Sequence, residues 1–259
     1  MEYQKLSESV KIKTISETAT EGVFEIEGLY TGYGLTIGNA LRRVLLSSIP
    51  GAAITQVKIS GVKHEFSTIE GVAEDILEIS LNLKKIRFKL HTDEPQVLVL
   101  EAKGDNNVTA GDIKVNSQIE VINPDMHIAT LNSKKAELKM EITVEKGLGY
   151  VPVEARKAEK LPIGVIAIDA IFTPVNKVNF IIENMRVGER TDYNLLRFVI
   201  ETDGSITPGA ALHKSSNILK DHFGRISSLE VVAEEETKPE TEEKSEEAGE
   251  KKAKKKSKK

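Results

Sequence analysis

Few of the residue types that do chemistry on their own stand here in a working arrangement. The five histidines, His64, His91, His127, His213 and His222, are far apart, and His64-Glu65 lacks the second histidine that a zinc-binding H-E-x-x-H helix needs. No cysteine is present, which removes thiol nucleophiles, thiolate metal ligands and disulfides together. The Gly-x-Ser-x-Gly turn that presents a nucleophilic serine and the Gly-x-x-x-x-Gly-Lys-Ser/Thr loop that cradles phosphates are both missing. So are the closely spaced aspartates that would hold paired magnesium ions for nucleotidyl transfer; Asp112, Asp125 and Asp169 are isolated and read as structural. Gly32-Tyr-Gly-Leu-Thr-Ile-Gly38 departs from a dinucleotide fingerprint, whose third glycine would stand at Ile37, and reads as a flexible turn. The expectation is no catalytic residue, no metal site and no cofactor. His222 reads as a packed or interface histidine.

What remains is chemistry suited to holding other macromolecules, and the elements that must present it are amphipathic. Leu35 to Gly51 predicts a helix over 36–49, with Thr36 as its cap and Pro50-Gly51 as its stop. Ile37, Ala40, Leu41, Val44 and Leu45 fall on one buried stripe. Arg43 and Leu46 fall on the other face. Arginine beside an aliphatic side chain suits the centre of a protein interface; one exposed leucine beside a solvated arginine is the alternative. A second helix is expected from Pro208 to about Leu229, opened by Thr207-Pro208. Ala211, Leu212, Ser215, Ile218, Leu219, His222, Phe223 and Ile226 line one side of it, and Gly224 lies within.

Between these helices the pattern is mostly of strands. Residues 9–31 suggest two short strands, and Ala53–Ile59, Gln96–Ala102, Ser117–Ile122, Val175–Ile182 and Arg197–Thr202 suggest others. Ala136 to Glu145 alternates without a fault and predicts a half-buried strand, broken by the loop Lys146-Gly-Leu-Gly-Tyr-Val-Pro152. Ile163–Ile171 predicts a buried strand, and Glu154–Leu161 an exposed charged segment. Glu70 to Leu83 has mostly helical spacing. From Lys84 to Leu90 the period becomes two, with Ile86, Phe88 and Leu90 opposed to Lys85, Arg87 and Lys89. Those three cations could meet phosphates or guard an edge strand. The fold class expected is α+β: a helix-bearing domain formed by 1–50 with 172–233, and an inserted β-rich subdomain at 51–171.

The formal charge of −4 resides entirely in 1–233, because the stretch 234–259 holds nine Glu against nine Lys. A mildly acidic globular part is a poor stand-alone binder of nucleic acid. The stretch 234–259 reads as a disordered tail; Lys251–Lys259 could touch DNA or RNA weakly or remain solvated. No secretory signal and no membrane-spanning run is visible, and a cytoplasmic protein is expected.

Gly38-Asn-Ala-Leu-Arg-Arg-Val-Leu-Leu-Ser-Ser48 resembles the signature helix of the bacterial RNA polymerase alpha subunit family. Further blocks carry the resemblance over roughly residues 8–232: Glu70-Gly-Val72 with Glu74-Asp75 and Asn82-Leu-Lys84, Gly149-Tyr-Val-Pro152, Arg186-Val-Gly188 with Arg190-Thr-Asp192, and Glu201 to Pro208. The resemblance implies a homodimer built by the first and last helices, with Ile37, Leu41, Val44, Leu45, Leu212, Ile218, Leu219, Phe223 and Ile226 at its interface. It implies docking of the beta and beta-prime subunits by Arg43, Leu46 and Lys84, with Arg190 and Asp192 near the same surface. The chain would then nucleate a DNA-dependent RNA polymerase, a nucleotidyltransferase, without a catalytic site of its own, and would meet DNA only through the assembled enzyme. Where the family often has Asp-Lys after Arg-Thr-Asp-Tyr, Asn194-Leu195 stands here. The usual C-terminal promoter-binding domain is expected to be missing. The other readings are a stand-alone homodimeric scaffold or nucleic-acid-binding protein of the same fold.

Overall fold

The computed structural model describes residues 8–62, 64–156, 162 and 164–229. The stretch 234–259, residues 157–161 of the charged segment and Ile163 lie outside these. The chain divides at Phe223/Gly224 into two compact units, and the architecture below is that of the first.

Along the chain, a hairpin of β1 (Lys11–Glu17) and β2 (Glu21–Leu29) leads into α1 (Tyr33–Ser47). Then come β3 (Pro50–Ile59), α2 (Ile76–Leu83), β4 (Phe88–Leu90), β5 (Gln96–Lys103) and β6 (Asn106–Thr109). They are followed by β7 (Ile113–Lys114), β8 (Ile119–Val121), β9 (His127–Leu131), β10 (Glu137–Leu148) and β11 (Tyr150–Val151). A 3-10 turn at Val153–Arg156 and the short strands β12 (Val165–Ala167) and β13 (Ala170–Ile171) precede a long hairpin of β14 (Val175–Val187) and β15 (Arg190–Thr202). The last element is α3 (Pro208–Ser227).

Both ends of this order build one antiparallel sheet, β1-β2-β15-β14. Its alternation is visible in the sequence: Phe24 and Ile26 of β2 are buried opposite Phe198 and Leu196 of β15. Leu41, Leu45 and Ile49 from α1 and its exit, together with Ala211 of α3, cover that face. Ion pairs, Lys13–Glu27 at 2.6 Å and Arg197–Glu25 at 2.7 Å among them, join neighbouring strands elsewhere on the sheet. The Lys13–Glu27 pair, with its lysine in solvent, stabilises little.

The second sheet, β7-β5-β10-β3-β4-β8 with β12 also paired to β3, comes wholly from the middle of the chain. Leu138, Met140, Ile142 and Val144 of β10 point inward together, against a core that includes Ile76, Ile79 and Leu83 of α2. This core runs from Ala52 to Ile168, and the first uses Phe24 to Ile49 and Val175 to Ala211.

Several local expectations are corrected. α1 starts at Tyr33 and not at a Thr36 cap, so much of the glycine-rich turn is helical. It ends at Ser47, and Pro50 opens a strand. The helix expected from Glu70 shrinks to Ile76–Leu83, because Asp75 accepts the Glu78 N–H at 2.7 Å and caps it there. Upstream, the Ala73 N–H goes instead to the Thr130 carbonyl at 2.9 Å. Within Lys84–Leu90 only Phe88–Leu90 is strand, and it has β3 on one side and β8 on the other, so Lys85, Arg87 and Lys89 guard no free edge. β10 continues through Gly147, which lies under the Phe172 ring where a Cβ would come within 2.6 Å. The single strand expected over Ile163–Ile171 is two, broken at Ile168-Asp169.

Candidate docking surface

The sequence makes α1 a helix with one apolar stripe, and the structure uses that stripe inside the protomer. Leu41 and Leu45 are buried by the chain's own sheet. They were expected at a dimer interface; within the protomer Leu41 keeps 5% of its surface exposed and Leu45 none. Ile37 packs part-buried on the same core, and Val44 is half-buried. Leu46, expected to face outward, is also half-buried and packs on that core. Arg43 does face outward, exposed together with Leu35, Asn39, Arg42 and Ser47.

The far end of α1 meets a second cluster. Pro50, just past the helix, pairs with Leu148 at the end of β10. The chain then turns at Gly149, whose φ of +61° favours glycine, close enough that a Cβ there would lie 3.5 Å from the Ser47 carbonyl oxygen. Ser47 in turn donates its hydroxyl to the Arg43 carbonyl at 2.7 Å. This turn presents Leu148 and Tyr150, both more than half exposed. Lys84, at the end of α2, lies 5.9 Å from the Tyr150 ring centre, and its Nζ donates to Asp169 Oδ2 at 3.0 Å. Asp169 Oδ1 accepts the Val153 N–H at 2.9 Å. That N–H, and then Lys84, hold the Asp169 carboxyl below its ordinary value. Loss of water contact, and then the Asp169 carboxylate, push Tyr150 above its ordinary value. Beside them runs a groove of about 570 Å³ lined by Leu77, Leu81, Lys84, Val153, Val165 and Asp169, among others.

The last turn of α1, from the Arg43 carbonyl to Ser47, thus lies beside the Gly149–Tyr150 turn, whose ring is next to Lys84, 41 positions beyond Arg43 in the numbering. Arg190 and Asp192 are at the other end of α1, about 22 Å away along a helix of this length. They engage each other in a two-pronged pair, Nε–Oδ1 3.0 Å and Nη2–Oδ2 2.7 Å. The guanidinium also lies 5.0 Å and 5.5 Å from the ring centres of Tyr30 and Tyr193. Thr31 donates to Asp192 Oδ2 at 2.7 Å. These contacts push the Asp192 carboxyl down and the arginine up, through their mutual hydrogen bonds first. Both side chains therefore hold the entry to α1 together.

On α3, Ala211 and Ser215 are buried and Leu212, Ile218 and Leu219 are half-buried, whereas Phe223 and Ile226 are 61% and 67% exposed.

Tyr150, Asp169 and Asn194 were not singled out as site residues by the sequence. Asp169 read as isolated, yet it pairs with Lys84 across 85 positions; the only local signal was the irregular Gly147–Pro152 stretch. Among the described residues no three His, Asp or Glu side chains gather as a metal site. His127 instead bonds Glu74 at 2.9 Å, and His64 bonds Ser67 at 3.1 Å.

Residues 57–173 match the family model for the RNA polymerase Rpb3/RpoA insert domain. The chain is 50% identical over 230 residues to the DNA-directed RNA polymerase subunit alpha of Symbiobacterium thermophilum, spanning 88% of this chain and 73% of that protein. Identity to the corresponding subunit of Alkaliphilus oremlandii is 46% over 243 residues, or 91% and 76% of the two chains. For that of Moorella thermoacetica it is 51% over 217 residues, or 83% and 69%.

Proposed function

The chain belongs to the DNA-directed RNA polymerase alpha subunit family, and on that footing we propose that it is a non-catalytic assembly subunit that pairs with a second copy of itself and receives the beta and beta-prime subunits. In this reading 1–50 and 172–233 form the dimerisation part and 51–171 the insert, and the chain works in the bacterial cytoplasm. No helix among the described residues is long and apolar enough to cross a membrane.

The observation that carries the docking reading is that the last turn of α1, which follows exposed Arg43, abuts the Gly149–Tyr150 turn and, through Tyr150, the Lys84–Asp169 pair. Arginine and tyrosine are the side chains that most often anchor interfaces, because each offers large contact area with a polar tip. Two identical chains presenting this surface to two different large subunits would use the same side chains in two environments.

The test is co-expression with the beta subunit of the same host, with the complex weighed by size exclusion and light scattering. Two copies with one beta are expected. Arg43→Ala should weaken that complex by about tenfold or more while the dimer survives. A dimer that ignores beta overturns the assembly reading. An Arg43→Ala chain that binds normally moves the docking surface away from the outer face of α1.

A further inference from the structure

We infer that Asn194 is the positioning residue of α1: its side-chain oxygen, reaching across from β15, supplies the N-terminal cap that the helix does not carry itself. The inference rests on the reading of α1 as a docking element.

A helix leaves its first N–H groups without internal partners, and a side chain at the cap position usually satisfies one of them. Here that position is Gly32, in the left-handed region at φ 86°, with no side chain to do so. Asn194 Oδ1 accepts the Gly32 N–H at 2.9 Å and the Gly34 N–H at 3.3 Å instead. Asn194 is one of the few polar residues buried in the described part of the protomer, at 8% exposure. A buried amide is costly unless hydrogen-bonded, so this pairing accounts for its place.

The fit is close from both sides. A Cβ at Gly34 would stand 3.1 Å from Asn194 Cβ and 3.2 Å from its Oδ1, and one at Gly38 would stand 2.9 Å from the Phe180 ring. Two glycines one turn apart thus let α1 lie directly on β14 and β15, and the Asn194 oxygen fixes where along them its first turn begins. Thr31 on Asp192, and Arg190 against Tyr30 and Tyr193, hold the segment that enters the turn. The first turn and a half presents Tyr33 and Leu35, each about half exposed, on the outer surface. If that turn frays, a partner meets the ordered surface in only a fraction of molecules, and its apparent affinity falls by that fraction.

Only an acceptor is needed, because both partners are N–H donors. Asn194→Asp keeps the acceptor and puts negative charge at the positive end of the helix. Asn194→Leu keeps the bulk and removes the acceptor.

Two measurements separate the cap from its consequence. Amide hydrogen exchange of Gly32 and Gly34 in the isolated dimer reads the cap: about tenfold faster exchange is expected in Asn194→Leu and wild-type protection in Asn194→Asp. Capture of beta reads the positioning: Asn194→Leu should bind up to about tenfold more weakly and Asn194→Asp as the wild type. Asn194→Ala repeats the loss if the leucine variant does not fold. Faster exchange with undiminished capture would leave a cap with no positioning role and overturn the inference. So would Asn194→Asp failing in the same way as Asn194→Leu. If Arg43→Ala also captures beta like the wild type, the docking reading fails with it; if Arg43→Ala loses capture and Asn194→Leu does not, only the role of Asn194 falls.

Discussion

Asp169 has two distinct reasons to stay ionised, and their geometry sets how it responds to acid. Its Oδ1 receives the Val153 N–H and its Oδ2 the Lys84 ammonium, which together outweigh the loss of water and hold the carboxyl below its ordinary 3.8. A carboxylate depressed by folding adds stability that is present above its unfolded value and lost as pH falls through its folded value. The Lys84–Asp169–Tyr150 arrangement should therefore be unchanged from pH 8 to pH 5. Asp169→Asn preserves shape but leaves a part-buried lysine without its counter-charge. It should cost about 1 kcal/mol at pH 7, a modest figure because both side chains retain some water. That difference should shrink below pH 3.8, where the wild type is losing the same charge. Urea midpoints of both proteins at pH 7 and pH 3 check this; a gap that does not change with pH would mean that shape, not charge, is what Asp169 contributes.

At the scale of elements, glycine inside a helix shows two opposite physical situations. Replacing a helical glycine by alanine ordinarily gains about 1 kcal/mol of propensity. At Gly224 nothing lies within 4 Å of the added methyl, so Gly224→Ala should show most of that gain. At Gly38 three atoms of the Phe180 ring would lie 2.9 to 3.2 Å away, and forcing such contacts costs about 1–3 kcal/mol. Gly38→Ala should thus be destabilising despite the propensity, with a lower urea midpoint. If both alanine variants were stabilised, the close seating of α1 on β14 would be wrong. The contrast also shows what could be read from the sequence. β10 and the second half of β15, from Arg197, were legible because alternation is a local signal, whereas β15 in fact begins at Arg190; legible too was the start of α3, where Thr207 accepts the Ala210 N–H at 3.3 Å. The start of α1 was not: its cap is 160 and more positions away, on Asn194, and its glycines have the spacing of turn residues, while the Phe180 ring that requires Gly38 comes from β14. For the same reason Arg43 was recognisable on its own helix, while Asp169 and Tyr150 acquired meaning only once β10, α2 and β13 had been folded together.

For the whole molecule, the question is which apolar surface remains for a second copy once the protomer has built its own core. Leu41 and Leu45 are consumed in that core, and Ile37, Val44, Leu212, Ile218 and Leu219 are partly covered. Phe223 is different, at 61% exposed, and Ile226 follows it three positions on in the same helix. Helical spacing places Phe223 and Ile226 on one side of α3, and apolar side chains grouped in this way call for a partner. Burying such a side chain contributes about 1.5–3 kcal/mol, and two-fold symmetry counts each contact twice. The double variant Phe223→Asp with Ile226→Asp should therefore weaken self-association by at least about a thousandfold, even if only part of the gross gain survives the cost of association. Phe223 is not buried within its own unit and Ile226 lies near the end of α3, so circular dichroism should not change. Light scattering at micromolar concentration then decides between two interfaces. A monomer places the dimer contact on α3, and it should also capture beta less well if the large subunit needs both copies. A chain that remains dimeric would show that the pairing surface lies on the exposed side of α1 or on the sheets, and that the apolar row on α3 serves another partner.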